Sequence, residues 1–239
     1  MKGVSIYMHT EFLKGIIFFK DLPDHIISAL SSKVKTAAYK KGEYIFHESD
    51  EAKAIFFVKS GIVKIKKINP QGKELIVCIK RAGDIFAEAS LFCEPGSIYP
   101  GTAQTLSDAE VAFLLTSDLE EVISINPELS IEMIRFMGTQ LRSFTSILRD
   151  IALLDVYGKT VKTIERLARE FGSKTTSGVK IELPLSIQEL SNIIGSTRES
   201  VSRVLSKLKE QDLVTIDEKN IIINNWCDFC QMFIETADY

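Results

Sequence analysis

The chain has 239 residues, four cysteines and a formal net charge of −3, with 45% hydrophobic and 26% charged residues. Such values suit a soluble protein with room for two modest cores, and they exclude a wholly basic nucleic-acid coat protein and a disulfide-framed scaffold. The sequence has no run of 18 apolar residues and no signal-peptide pattern, so a cytoplasmic protein with no membrane partner is expected.

Residues 1–35 predict short helices, with Leu22-Pro23 separating Glu11–Phe19 from an amphipathic run at His25–Val34. In that run Ile26, Ile27, Leu30 and Val34 point inward. From Ala37 to Leu115 the texture changes, and glycines at 42, 61, 72, 83, 96 and 101 punctuate short β-rich runs. Ile55–Val58, Ile62–Ile68, Glu74–Ile79 and Glu110–Leu115 predict strands, and Asn69-Pro-Gln-Gly72 predicts a turn. Regular spacing of this kind predicts an antiparallel roll or barrel.

Pro127–Ile151 predicts a long helix. Ile134, Met137, Leu141, Phe144, Leu148 and Ile151 recur at spacings of 3, 4, 3, 4 and 3, a heptad seam suited to a dimer contact. Leu129, Met133, Phe136 and Ile147 form a second apolar face for packing on the roll. Next, Val156–Phe171 predicts a helix with Val161, Ile164, Leu167 and Ala168 inward, ended by Gly172. Lys174–Gly178 reads as a polar loop before a strand at Val179–Leu183.

Ser186–Leu213 contains two helix starts. Ser186-x-x-Glu189 and Ser196-x-x-Glu199 both have capping-box form, and Gly195 between them suits a left-handed helix end. Ile187, Leu190, Ile193 and Ile194 line the first helix, and Val201, Val204, Leu205 and Leu208 the second. Arg198, Glu199, Ser202, Arg203 and Ser206 fall on the outer side of the second helix. In a helix-turn-helix, that helix's N-terminal part reaches base edges. Arginine suits guanine O6 and N7, and a carboxylate accepts from cytosine. The plain alternative is a helix hairpin with a solvated polar face. Residues 135–209 hold 13 Lys+Arg against 7 Asp+Glu, so positive charge is concentrated where phosphates would be met. Val214–Ile216 and Ile221–Ile223 predict a strand pair with a turn at Asp217–Asn220.

Gly195-Ser-Thr-Arg-Glu-Ser-Val-Ser-Arg-Val-Leu205 resembles the recognition-helix signature of the CRP/FNR family of bacterial transcription regulators. Lys41–Glu48, Phe56–Gly61 and Gly83–Phe86 resemble that family's cyclic-nucleotide-binding β-roll. The resemblance covers nearly the whole chain and implies an α+β fold. Its parts are an N-terminal double-stranded, jelly-roll-like sensor β-roll (1–126), a long dimerisation helix with a hinge (127–154) and a C-terminal winged helix-turn-helix (155–239). By the same match Arg198, Glu199, Ser202 and Arg203 take base-reading positions, and Ser186, Gln188, Thr197 and Ser200 take phosphate-contact positions. The implied partners are a second copy of the chain, a palindromic double-stranded DNA operator with TGTGA-like half-sites, and RNA polymerase.

Cyclic-nucleotide binders of the family carry a Gly-Glu pair for the ribose and an Arg-Ser/Thr pair for the phosphate. Here Ala87-Glu88-Ala89 keeps only the carboxylate, Tyr99-Pro100 stands near the Arg-Ser position, and Phe86–Leu115 contains no arginine. A buried phosphate without a charged partner is costly, so cAMP is not expected. The effector is another small molecule, or the pocket is empty. Glu88, Tyr99, Phe144 and Thr145 are the pocket candidates, with Glu88 either a ligand contact or a structural hydrogen-bonding residue.

Cys227-Asp-Phe-Cys230 has a spacing used by zinc and iron–sulfur sites, but it supplies two ligands where four are usual. Some Gram-positive FNR-type regulators hold a cluster on a C-terminal cysteine set aided by an aspartate of the dimer helix. That resemblance nominates Cys227, Cys230 and Asp150, yet Glu235 stands where the next cysteine would be, so a cluster is not expected. Packing of a terminal helix through Trp226, Phe229, Met232 and Phe233 accounts for the same stretch. A redox-sensing iron–sulfur regulator and a nucleotide-binding module without DNA contact are the alternatives. No enzyme is expected, because no nucleophile–base set, phosphate loop or metal pair occurs.

Overall fold

The computed structural model describes residues 10–16, 19–20, 22–176, 178–217 and 220–231. Met232, Phe233, Glu235, the centre of the Asp217–Asn220 turn and part of the expected Glu11–Phe19 helix lie outside them. The chain divides into two compact units, Met1–Ser143 and Phe144–Tyr239. The division falls within the long helix, whereas the sequence reading set that helix apart as a segment of its own.

In the first unit, residues 10–15 are helical and α1 spans Asp24–Ser31. Eight strands follow: β1 (Lys35–Tyr39), β2 (Tyr44–Phe46), β3 (Ala54–Ser60), β4 (Ile62–Ile68), β5 (Glu74–Arg81), β6 (Ile85–Phe86), β7 (Thr102–Thr105) and β8 (Ala109–Leu115). They form two four-stranded sheets, ordered β1-β8-β3-β6 and β2-β7-β4-β5, with antiparallel pairing throughout. This is the expected β-roll.

The β3 run Ile55-Phe-Phe-Val is apolar at every position because both its faces are covered. Phe56 and Val58 cluster with Phe46, Val63 and Ala103 of the second sheet. Ile55 and Phe57 cluster with Leu30 of α1, Leu119 of α2 (Thr116–Ile125), and Leu129 and Met133 of α3 (Pro127–Leu153). Leu129 and Met133 thus serve the packing face expected of them. At the β3–β4 turn Gly61 has φ 84°, and an added Cβ would come within 2.3 Å of the Asp108 carbonyl. The predicted Asn69–Gly72 turn closes with the Gly72 amide donating to the Asn69 carbonyl at 2.9 Å.

Of the eight strands, β1, β2, β6 and β7 lie outside the runs that the sequence predicts as strands. They are two to five residues long, and β1 is largely exposed, so they carry little apolar alternation. Lys66 is a further departure. It lies on β4 only 2% exposed, with its ammonium 2.5 Å from Glu74 and over the Tyr44 ring.

In the second unit, α4 spans Val156–Phe171 and its N-terminus is capped by Asp155, whose carboxylate accepts from the Gly158 amide at 2.7 Å. Val161, Ile164, Leu167 and Ala168 are buried as expected. The stretch read as a polar loop instead holds β9 (Gly172–Thr175), paired with β10 (Gly178–Ile181). β9 is a mostly exposed edge strand with no buried face, which is why its residues look like a loop. α5 (Ile187–Ile194) and α6 (Arg198–Glu210) form the helix-turn-helix, followed by β11 (Val214–Asp217), β12 (Asn220–Ile223) and α7 (Trp226–Gln231). The sheet order β11-β12-β10-β9 makes the wing.

Candidate nucleic-acid interface

α5 and α6 are joined by the turn the sequence predicts. Ser186 and Glu189 form a reciprocal capping box at the start of α5, and Gly195 ends it at φ 72°. At α6 the cap is one residue later than expected: Thr197, not Ser196, accepts from the Ser200 amide at 3.2 Å, and the Ser196–Glu199 box does not form. Leu190, Ser191, Ile193 and Ile194 bury the inner face of α5, with Ile187 half-buried. Val201, Leu205 and Leu208 bury that of α6, with Val204 half-buried.

The other side of α6 is open. Arg198, Glu199 and Arg203 are exposed and Ser202 and Ser200 half-exposed. Glu199 lies in the first turn, where the helix dipole favours a carboxylate. The exposed Arg203 donates from Nε to the Glu199 carbonyl at 3.4 Å, a long bond. Ser186, Gln188 and Thr197 are exposed at the two helix starts. Gln188 donates to Asn192 at 2.9 Å, and Ser186 and Thr197 spend their hydroxyls on caps. At the far end of α6, the Lys207 ammonium sits over the Tyr157 ring of α4 and Asn224 donates to the Asp212 carbonyl at 3.0 Å. The first contact holds α6 against α4, and the second ties the turn after α6 to the end of β12.

On α3 the predicted seam is uncovered. Ile134, Leu141 and Leu148 are 70%, 65% and 64% exposed, Met137 and Phe144 are also exposed, and Ile151 is half-buried. An apolar stripe this long is unusual on a surface with nothing to cover it.

Of the four pocket candidates, Glu88 and Tyr99 lie in the first unit and Phe144 and Thr145 in the second. Glu88 opens a short 3-10 helix (Glu88–Ser90) and accepts a hydrogen bond from Gln140 of α3 at 3.0 Å. Tyr99 lies in the core of the roll. It is 4% exposed, stacked on Phe46 at 3.9 Å, and its hydroxyl is engaged by both the amide and the carbonyl of Ala54. Phe56 and Phe86 complete this aromatic cluster. Phe144 and Thr145 belong to the second unit and are exposed on α3.

Cys227 is exposed and Cys230 half-buried on α7. Burial, then the nearby Glu165 carboxylate, push the Cys230 thiol up. Asp150 accepts from the neighbouring Arg149 guanidinium at 2.8 Å. Among the described residues no group of three or more His, Cys, Asp or Glu could hold a metal ion.

A β-roll, a long helix with an open apolar seam and a winged helix-turn-helix with an arginine-bearing free face define a DNA-binding regulator with a second, β-roll domain. Residues 36–126 match the cyclic nucleotide-binding domain, and residues 158–232 match the Crp-like helix-turn-helix domain. The chain is 31% identical to the anaerobic regulatory protein of Bacillus subtilis over 210 residues, 88% of this chain and 87% of that one. It is 25% identical to a CRP-like cAMP-activated global transcriptional regulator of Mycobacterium tuberculosis over 215 residues, 90% and 95% of the two chains. FixK2 from Bradyrhizobium japonicum shares the fold with a TM-score of 0.73 at 21% identity, over 83% of this chain and 96% of that one. The chain belongs to the CRP/FNR family of transcription regulators. No helix among the described residues is long and apolar enough to cross a membrane.

Proposed function

We propose that two copies of the chain join along the α3 seam and read a palindromic, TGTGA-like operator. Arg198, Glu199, Ser202 and Arg203 face base edges, while Ser186, Gln188, Thr197 and Ser200 face phosphates. The observation that carries this reading is the split character of α6, whose buried Val201, Leu205 and Leu208 oppose exposed Arg198, Glu199 and Arg203. The uncovered seam supports the dimer, since a second copy would bury it.

In this reading the roll responds to a small-molecule effector other than cAMP and acts on α3, where Glu88 and Gln140 meet. The buried Tyr99 and the absence of any arginine in Phe86–Leu115 support leaving cAMP out. An iron–sulfur cluster is also left out, because Glu235 replaces the thiolate that a Cys227–Cys230 site would need. The bound dimer presents its surface to RNA polymerase. Selection of DNA sites from a random pool, with the wild type and with Arg203→Ala, tests the reading. Enrichment of an inverted repeat by the wild type, with one G·C position relaxed in the variant, is the expected result.

A further inference from the structure

The second unit has a cleft of about 260 Å³ that the DNA-reading surface does not use. Its cationic wall is a stripe of α4, Lys159, Lys162, Arg166 and Arg169, at spacings of three, four and three, with Arg149 of α3 beside it. Three carboxylates, Asp150, Glu165 and Glu170, answer these five cations, and they are unevenly shared. Glu165 takes both Lys162 at 3.0 Å and Arg169 at 2.8 Å. Arg166 reaches Glu170 only at 4.0 Å, and among the described residues no carboxylate lies within ion-pair distance of Lys159. The least compensated charge is therefore on Lys159, followed by Arg166 with its one long pair. The remaining wall is mostly apolar, made by Ile147 and Ile151 of α3 and Ile193 and Ile194 of α5, with the hydroxyls of Ser146 and Thr163 among them.

We propose that this cleft binds a small organic phosphate, its anionic head on Lys159 and Arg166 and a compact apolar body against the isoleucines. A concave wall of four isoleucines favours a ligand with an apolar body over a bare anion or a DNA backbone. A volume slightly below the usual range for ligand pockets limits that body to about one ring. Ile193 and Ile194 are the last residues of α5, directly before the left-handed Gly195 and the recognition helix. Occupancy of the cleft thereby bears on the turn that aims α6.

The molecule carries its own reporter. Trp226 is the one tryptophan, and the Arg169 guanidinium lies 5.0 Å above its ring. The full chain is titrated with phenyl phosphate, with inorganic phosphate and benzyl alcohol as comparators, followed by Trp226 emission and by calorimetry. A saturable response, at least about tenfold tighter for phenyl phosphate than for either comparator, is expected. The Lys159→Gln/Arg166→Gln double variant, its fold checked by circular dichroism, should weaken it at least about tenfold, and Lys159→Arg should keep it. Arg203→Ala should leave it unchanged, which separates this site from the DNA-reading face. No saturation by either method, equal affinity for benzyl alcohol, or unchanged binding in the double variant overturns the proposal. So does loss of operator affinity in the double variant with no phenyl phosphate binding in the wild type, which would make the stripe a DNA-backbone contact.

Discussion

Gln140 donates to Glu88 across 3.0 Å, tying the short helical turn of the roll to the long helix one residue before Leu141 of the open seam. A change in the roll that moves Glu88 therefore pulls on the helix that carries the exposed apolar seam. Gln140→Glu replaces this bond by like-charge repulsion. If the link is part of signal transmission, operator affinity should shift by about 5- to 150-fold, the usual range of coupling between sites. Fluorescence anisotropy with a labelled operator measures it, and an unchanged affinity in a folded variant would count against the link.

The seam gives a second expectation. Leu141 is 65% exposed in one copy, so a charge there costs the fold little. In a dimer the same charge would be buried against a partner with no counter-ion. Leu141→Glu should leave the thermal transition of the monomeric unit nearly unmoved while the sedimentation coefficient falls to that of one chain. A dimer that survives the substitution would place the contact elsewhere.

The caps at the helix-turn-helix give a third. Ser186→Ala and Thr197→Ala should each cost about 0.5–2 kcal/mol in urea unfolding, since each removes an N-cap acceptor. Ser196→Ala should be close to neutral, because its hydroxyl caps nothing in the structure. Equal losses at Ser196 and Thr197 would restore the register expected from sequence.

Acid should act through Glu165. Burial alone would raise its pKa, but hydrogen bonds from Arg169 and Lys162 outweigh burial and hold it below the ordinary value. A carboxyl with a lower pKa folded than unfolded binds fewer protons when folded. Its stabilisation is therefore present above the unfolded pKa and is lost as pH falls through the folded one. The difference in unfolding free energy between wild type and Glu165→Gln should be larger at pH 7 than near pH 3. A difference that grows on acidification would contradict the assignment.

Much of this architecture is legible in the sequence because it rests on strong periodicity. The buried face of α4 (Val161, Ile164, Leu167 and Ala168), the Ser186–Glu189 box, the left-handed Gly195 and the exposed seam all occur where residue spacing places them. What escapes is set by tertiary context. Adjacent Ser196 and Thr197 are both able caps, and Ser196-x-x-Glu199 is the better local pattern, yet the fold starts α6 at Arg198. β9 is polar because it is an exposed edge, and Lys66 is buried because Glu74 lies on the neighbouring strand. Tyr99 looks like a pocket residue by position, and only the packed structure reveals Phe46 and Ala54 already filling its contacts. The cationic cleft escapes for the same reason, since Ile147 and Ile193 are far apart in sequence.

The central claim is that paired recognition helices read a symmetric site. Enrichment of DNA from a random pool by the wild-type chain, sequenced after several rounds, tests it most directly. The account predicts an inverted repeat whose half-site centres lie about 34–36 Å apart, one turn of the double helix. Recovery of asymmetric single half-sites, or of no sequence preference at all, would contradict it.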